Sequence, residues 1–262
     1  MILIIICRFP IGYIVNCSNF INMWSICKKE LNQFFSNLTG YMAIIVFLLV
    51  NGLFLFVFKD SSIFEFGYAS LDRFFELAPW VLLFLIPAIT MRSLSDEFRT
   101  GTFEILKTRP ITSWQIVSGK YFSVLIIILF VIVPTFIYII TIKMLSVSGN
   151  IDTGGIAGSY LGLLLLGAVF AAISICCSSF TSNAVVAFLV SAFVCLNLYF
   201  GFNAISKLPM LQGSADYYIE MLGIDFHYRS ISRGVLDTRD LVYFTSIIFL
   251  FLLITVKNLR KK

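Results

Sequence analysis

The sequence predicts an all-α, polytopic membrane protein. Charged residues make up only 13% of its 262 residues, and hydrophobic residues make up 59%. The mean hydropathy is +0.96, far above the value of an ordinary soluble domain. The apolar residues are collected in segments of the length that a membrane-spanning helix needs, about 20 residues. Together these observations exclude a soluble enzyme or binding domain.

Six segments meet or approach the length and apolarity of a span. They are Gly40–Phe58, Phe74–Thr90, Tyr121–Ile142, Ser159–Cys177, Ala184–Ile205 and Leu241–Val256. The polar stretches between them are short, so we expect residues 23–262 to form one transmembrane domain.

The basic residues predict the orientation, because Lys and Arg are retained on the cytoplasmic side. With both termini inside, the inner segments hold 12 of the 19 basic residues and 4 of the 14 acids. The reverse topology would invert that bias, so the prediction is N-in and C-in. The net charge of +5 is then a topology signal, and we expect no nucleic-acid partner.

The first 22 residues do not form a recognisable signal peptide. The run at 1–7 is apolar, but no positive charge precedes it and no small-residue cleavage site follows. A more regular pattern begins at Met23. We interpret residues 1–22 as a possible mis-annotated extension, with Met1 and Met23 as alternative starts.

An amphipathic helix is predicted from Met23 to Leu38, before the first span. Apolar positions recur there at helical spacing, with lysines between them, as is typical of a helix at the membrane–water boundary. Two alternatives remain: a simple anchor, or an anchor that also contacts a cytoplasmic partner. The candidate residues of this interfacial helix are Trp24, Lys28, Lys29, Glu30, Phe34 and Phe35.

A charged island lies between the second and third predicted spans, at residues 91–120. Its eight charges would each cost several kcal/mol in hydrocarbon, so the island lies outside the membrane. Gly101 weakens the helix in its middle, and Pro110 ends what precedes it. Thr112 and Gln115 form a capping-box pattern that starts the next helix. The pattern fits either a helix–break–helix elbow or a solvated loop with incidental helicity.

Two further patterns predict helix packing. Within the island, we expect one apolar helical face made by Leu94, Phe98, Thr102 and Ile105. Leading into the fourth span, Gly154, Gly158 and Gly162 repeat every four residues, with Gly167 beyond. Small residues at this spacing let helices approach closely. Packing within the chain is the favoured explanation, and a subunit interface is the alternative.

Three segments of the chain resemble ABC-2 type transporter permeases. The most specific is EFRTGTFEILKTRPIT at 97–112, and the others are KKELNQFFSNLTGY at 28–41 and SISRGVLDTRDLVYF at 230–244. Together with LAPWVLLFLIPAITMRSLSDE at 77–97, they are most similar to the gliding-motility-associated permease subunits. The resemblance implies that the island contains a coupling helix, which docks on a separate ATP-binding subunit. The implied coupling residues are Asp96, Glu97, Arg99, Gly101, Thr102, Glu104 and Pro110.

The function that follows is a permease subunit of an ATP-driven exporter in a bacterial inner membrane. The 262 residues contain no G-x-x-x-x-G-K-[ST] motif and no visible catalytic arrangement, so we expect no enzyme activity, and ATP with Mg²⁺ on the partner subunit. No metal-ligand spacing is present. Six spans imply a second permease copy or a sister permease. The alternatives are export of another cargo, such as a drug, lipid or polysaccharide, and a non-transporting membrane scaffold.

Overall fold

A computed structural model describes residues 12–58, 71–108, 111–145, 152–207, 216–234 and 237–261, without the side chains of residues 12–22, Thr39, Lys107 and Leu145. Every regular element in these ranges is helical. The α-helices are α1 (Gly12–Ser36), α2 (Leu38–Phe56), α3 (Asp72–Thr90), α4 (Arg92–Thr100), α5 (Thr102–Lys107), α6 (Ser113–Ile132), α7 (Phe136–Leu145), α8 (Thr153–Phe180), α9 (Ala184–Leu196), α10 (Phe202–Ser206), α11 (Asp216–Glu220), α12 (Ile224–Ser232) and α13 (Thr238–Lys261).

The predicted membrane helices are present. Five helical stretches are long and apolar enough to cross a membrane: 72–100, 113–144, 153–180, 184–206 and 238–261. A sixth candidate is the pair 23–36 and 40–56, whose two parts meet at 70°. This bend separates the predicted interfacial helix from the first span. The all-α prediction is therefore confirmed, with five or six candidate spans in the described residues.

Helix α1 begins at Gly12, before the predicted start at Met23. The helical backbone is continuous through Met23, so no helix boundary marks that residue. Residues 1–11, on which the interpretation of the N-terminus also depends, lie outside the described residues.

Helix α8 occupies the centre of the bundle. It contacts α3, α4, α6, α9, α12 and α13, and 78% of its most apolar stretch is buried. Its glycines make this possible, because a Cβ on Gly158 would lie 2.9 Å from the Cα of Gly234 and one on Gly162 would lie 2.9 Å from Ile231. Gly167 approaches Ile128 of α6 in the same way. At these three positions the glycine stripe serves packing within the chain, as the favoured explanation predicted.

Two spans contain a local change of helix type. A 3₁₀ turn at Val133–Thr135 joins α6 to α7, where Pro134 has no N–H for the α-helical ladder. A π-helical turn at Asn197–Gly201 joins α9 to α10. Such turns insert an extra residue into a helix and are frequent at functional sites.

Two short helices, α11 and α12, lie between the fifth and sixth predicted spans. Helix α12 is fixed to the bundle by buried side chains. His227 Nδ1 lies 2.6 Å from Asp240 Oδ1 of α13, and Tyr228 donates its hydroxyl to the carbonyl of Phe75 at 2.7 Å. Burial raises the pKa of the Tyr228 phenol, so it remains a neutral donor. These contacts hold α12 against α3 and α13.

Candidate functional site

A buried ion cluster joins three helices at the end of the bundle that carries the island. Lys120 of α6 is only 1% exposed, and its ammonium lies 2.7 Å from Glu30 Oε1 of α1 and 3.0 Å from Glu97 Oε1 of α4. It also donates to the carbonyl of Ser93 at 2.6 Å. An ammonium has three donors, so all three are satisfied. Lys29, 3.6 Å from Glu97 Oε1, brings the formal charge of the group to zero.

This geometry makes Lys120 the link between α1, α4 and α6. Removing one partner from a buried ion pair costs about 3–5 kcal/mol, because the remaining charge has lost its compensation. Glu30 and Glu97 are 17% and 13% exposed, so neither carboxylate is well solvated without the lysine. We therefore expect α1, α4 and α6 to move as one unit as long as the ion cluster is intact.

Helix α1 packs on the bundle through a small part of its surface. Trp24 is 52% exposed and so available to the membrane surface, and Phe34 and Phe35 are half-buried. The buried positions are Ile26 and Cys27, which face α6 together with Glu30. Glu30, named among the candidate residues of the interfacial helix, points inward because it pairs with Lys120 of α6, a contact that the helical pattern could not predict. Lys28 and Lys29 are exposed, as predicted.

Gly119 allows the close approach of α1 to α6, one residue before Lys120. A Cβ at this position would lie 2.9 Å from the backbone oxygen of Met23 and 3.0 Å from Ile26 Cβ. We expect Gly119→Ala to lower the unfolding free energy by about 1–3 kcal/mol through overpacking. Thermal unfolding in detergent measures this. The matched control is Gly52→Ala, where the nearest atom is the Tyr138 hydroxyl at 3.5 Å; an equal loss there would contradict the prediction.

The island folds as an elbow. Helix α4 ends at Gly101, which adopts the left-handed conformation with φ of 70°, and α5 begins at Thr102. Thr112 and Gln115 then form the predicted capping box: the Thr112 N–H donates to Gln115 Oε1 at 2.8 Å, and Thr112 Oγ1 accepts from the Gln115 N–H at 3.4 Å. The break at Gly101 and the start of α6 are therefore as predicted.

The predicted apolar face of the island is wrong beyond Gly101. Leu94 is buried and Phe98 packs on the core, but Thr102 is exposed and Ile105 is 65% exposed. The left-handed glycine changes the direction of the chain, so the periodicity of α4 does not continue into α5. Phe103 points inward instead and packs edge-on against Phe98, with ring centroids 5.0 Å apart.

A serine of α8 fixes the start of the elbow. The Ser178 hydroxyl accepts from the N–H groups of Leu94 and Ser95, both at 3.2 Å, and donates to the Met91 carbonyl at 3.3 Å. Its neighbour Ser179 accepts from Asn258 Nδ2 of α13, at 2.8 Å to the carbonyl and 3.0 Å to the hydroxyl. The ends of α4, α8 and α13 are thereby joined through polar contacts.

We expect Ser178→Ala to loosen α4 without unfolding the bundle. The change removes the buried acceptor of two N–H groups, and an unsatisfied buried group costs about 1–3 kcal/mol. Hydrogen exchange should become faster over residues 92–100 and stay unchanged in the middle of α8. Ser182→Ala is the control, because Ser182 is exposed. Unchanged exchange in Ser178→Ala would show that this hydroxyl does not hold the elbow.

The implied coupling residues fall into two groups. Arg99, Gly101, Thr102 and Glu104 are exposed on the outer surface of the elbow, and Asp96, half-buried, pairs locally with Arg99 at 3.4 Å. Glu97 points inward to Lys120. Pro110 lies outside the described residues. No role was predicted for Lys120 or Ser178. Glu97 lies three residues after the apolar Leu94, so both are on the same side of α4. This spacing was the available signal that the Glu97 carboxylate points inward.

Comparison with protein families decides between a generic helical membrane protein and a specific class. Residues 24–256 match the model of the ABC-2 family transporter proteins. The chain belongs to the ABC-2 family. A comparison with curated proteins gave no match. As an ABC-2 family protein, the chain is the membrane-spanning component of an ABC transporter, and the family implies partnership with an ATP-binding subunit.

Proposed function

We propose that this ABC-2 protein is the permease of an ATP-driven exporter and that the elbow is its contact with the ATP-binding subunit. The observation that supports this most is the division of the elbow into an anchored inner side and an exposed outer side. Glu97 and Ser93 hold the inner side on Lys120, whereas Arg99, Thr102 and Glu104 are exposed. A surface that is both rigidly mounted and free to dock suits force transmission.

The connections of the elbow define a route for movement. Helix α4 follows α3 with only Met91 between them, and α5 leads through residues 109–112 to α6. A displacement of the elbow therefore acts on two spans, α3 and α6. The ion cluster extends the same displacement to α1, because Glu30 shares Lys120 with Glu97. Closure of the ATPase subunits would thus shift three helices together.

The inner orientation of Glu97 refines its proposed role. Its carboxylate is 13% exposed and bound to Lys120, so it is a positioning residue for the elbow rather than a docking residue. The docking residues proposed here are Arg99, Gly101, Thr102 and Glu104, with Asp96 orienting Arg99 and Pro110 ending the segment. The interfacial residues of α1 keep their proposed membrane contact through the exposed Trp24, Lys28 and Lys29.

The finer proposals follow the sequence resemblance. We infer an association with gliding motility, export as the direction of transport, and location in a bacterial inner membrane with both termini inside. The working unit is expected to contain two permeases, identical or sister subunits, above two ATPase subunits. ATP and Mg²⁺ belong to the ATPase partner.

A pull-down in mild detergent from native membranes tests the proposal. Recovery of a P-loop ATPase with the tagged chain supports a transporter, and cargo-stimulated ATP turnover in the recovered complex supports export. The second candidate is a non-transporting scaffold, which the firmly mounted elbow would also suit. Efficient recovery of other membrane proteins without any ATPase would favour that scaffold over the permease.

A further inference from the structure

One face of α3 is charged at the start of the helix and apolar further along it. Asp72, Glu76, Trp80, Phe84 and Ala88 follow one another every four residues, and all five are exposed. Residues at this spacing lie on one side of a helix. From Trp80 to Ala88 the stripe extends about 12 Å, close to half of a hydrocarbon core of about 30 Å. Trp80 stands at the junction of the charged and the apolar part.

The charged part of this stripe opens into a polar cavity of about 570 Å³, at the opposite end of the bundle from the elbow. Asp72 and Glu76 lie on its α3 side, and Arg229 and Arg233 on its α12 side. Arg229 is held by the buried Asp225, through Nε at 3.1 Å and a terminal nitrogen at 2.7 Å. Among the described residues, the side chains of Asp72 and Arg233 have no hydrogen-bonding partner. The cavity thus holds one carboxylate and one guanidinium that are available to a ligand, Asp72 and Arg233, beside two groups that already have a partner, Glu76 with Arg73 and Arg229 with Asp225.

The wall between the two charged sides is aromatic. The indole of Trp80 stacks on Phe200, with ring centroids 4.1 Å apart and planes at 30°. Phe200 belongs to the π-helical turn, which also places the buried Tyr199 in the cavity wall. An aromatic face beside carboxylates is a favourable place for an ammonium group.

The apolar part of the stripe is the floor of a groove of about 480 Å³. Trp80, Phe84 and Ala88 form the floor, with Val46 of α2 on one side and Phe188 of α9 on the other. Trp80 lines both the groove and the polar cavity, so the two spaces meet at this residue. The combined shape is a polar pocket that continues into an apolar channel about one leaflet long.

We propose that this composite site binds a zwitterionic glycerophospholipid. The arginines, Arg233 above all, would bind the phosphate, and Asp72, Glu76 and the Trp80 face would hold the ammonium. One acyl chain would lie in the groove along Phe84 and Ala88. A soluble zwitterion would leave the groove empty, and a plain hydrocarbon would leave the charged groups unused. This inference concerns ligand binding and is independent of the proposed coupling to an ATPase.

Tryptophan quenching by brominated lipids tests the site directly. In the full chain, Trp24→Phe with Trp114→Phe leaves Trp80 as the sole tryptophan. This variant is placed in vesicles of phosphatidylethanolamine and phosphatidylglycerol, with bromine on the acyl chains of one lipid at a time. We expect phosphatidylethanolamine to be preferred at Trp80 by about threefold. Adding Asp72→Asn and Arg233→Ala should reduce the preference to about one, because the headgroup partners are lost.

The matched control keeps Trp24 instead, through Trp80→Phe and Trp114→Phe, since Trp24 is 52% exposed on α1. It should report no preference for phosphatidylethanolamine, because the exposed Lys28 and Lys29 of the same helix attract the anionic phosphatidylglycerol. Equal affinity at Trp80 would overturn the proposal, as would a preference that survives the double substitution at Asp72 and Arg233. Absence of quenching at Trp80 by either lipid would also overturn it, because the groove would then be covered by protein, such as a second permease.

Discussion

Replacing Lys120 by Met should uncouple the elbow from α1 and α6 while the bundle still inserts in the membrane. Methionine keeps a similar volume, but Glu30 and Glu97 would face each other without the cation. The loss of one partner from a buried cluster predicts a destabilisation of about 3 kcal/mol or more. Thermal unfolding in detergent measures it, and proteolysis at residues 92–108 should become faster.

The control for Lys120→Met is Lys28→Met. Lys28 lies on α1 near the same end of the bundle but is exposed, so its substitution should leave stability and proteolysis unchanged. A triple variant that also carries Glu30→Gln and Glu97→Gln removes the unpaired carboxylates and should recover part of the stability. If Lys120→Met is as stable as the unaltered protein, the ion cluster does not hold the elbow.

Charge reversal on the exposed side of the elbow should have the opposite effect: the stability stays unchanged and the ATP-binding subunit is lost. In the double variant Arg99→Glu with Glu104→Lys, both side chains are exposed, so we expect normal stability and insertion. The ATP-binding subunit should nevertheless be lost from the purified complex, since like charges then face each other across the proposed interface. Quantitative mass spectrometry of the pull-down measures the ratio of the two subunits.

The matched control reverses the same two charge types at the other end of the bundle, through Arg73→Glu with Glu76→Lys. Arg73 and Glu76 form an exposed ion pair, 3.1 Å apart, at the end of α3 that is farther from the elbow. This variant should retain the ATPase. Retention of the ATPase by both double variants would place the docking surface elsewhere.

The fold was largely predictable because a helix that spans the membrane must be apolar over about 20 residues, and such segments are visible in the sequence. Every predicted span lies within or nearly within one continuous helical stretch, and α8 and α13 only extend further than Ser159–Cys177 and Leu241–Val256. The break at Gly101 and the capping box at Thr112 were predictable for a different reason. Each depends on a local preference of one or two residues, which distant contacts do not alter.

The site was less predictable because its decisive contacts are distant in sequence. Lys120 meets Glu30 across 90 positions, and Ser178 meets Leu94 across 84, whereas a periodicity describes only neighbours. Lys120, one of the eight charges of the island, is buried and is neutralised by partners that a local pattern does not include. The inward turn of Phe103 depends on the left-handed Gly101, whose effect on direction a helical pattern does not include.

The most direct test of the coupling role is site-specific photo-crosslinking from Ile105. This side chain is 65% exposed on α5, and a photoreactive amino acid there should not disturb the core. In native membranes we predict a crosslink to the ATP-binding subunit, with a yield that changes when ATP is trapped on the complex. The same amino acid at Tyr218, 70% exposed at the other end, should give no such product. A crosslink to the ATPase from position 218, or none from position 105, would contradict the account.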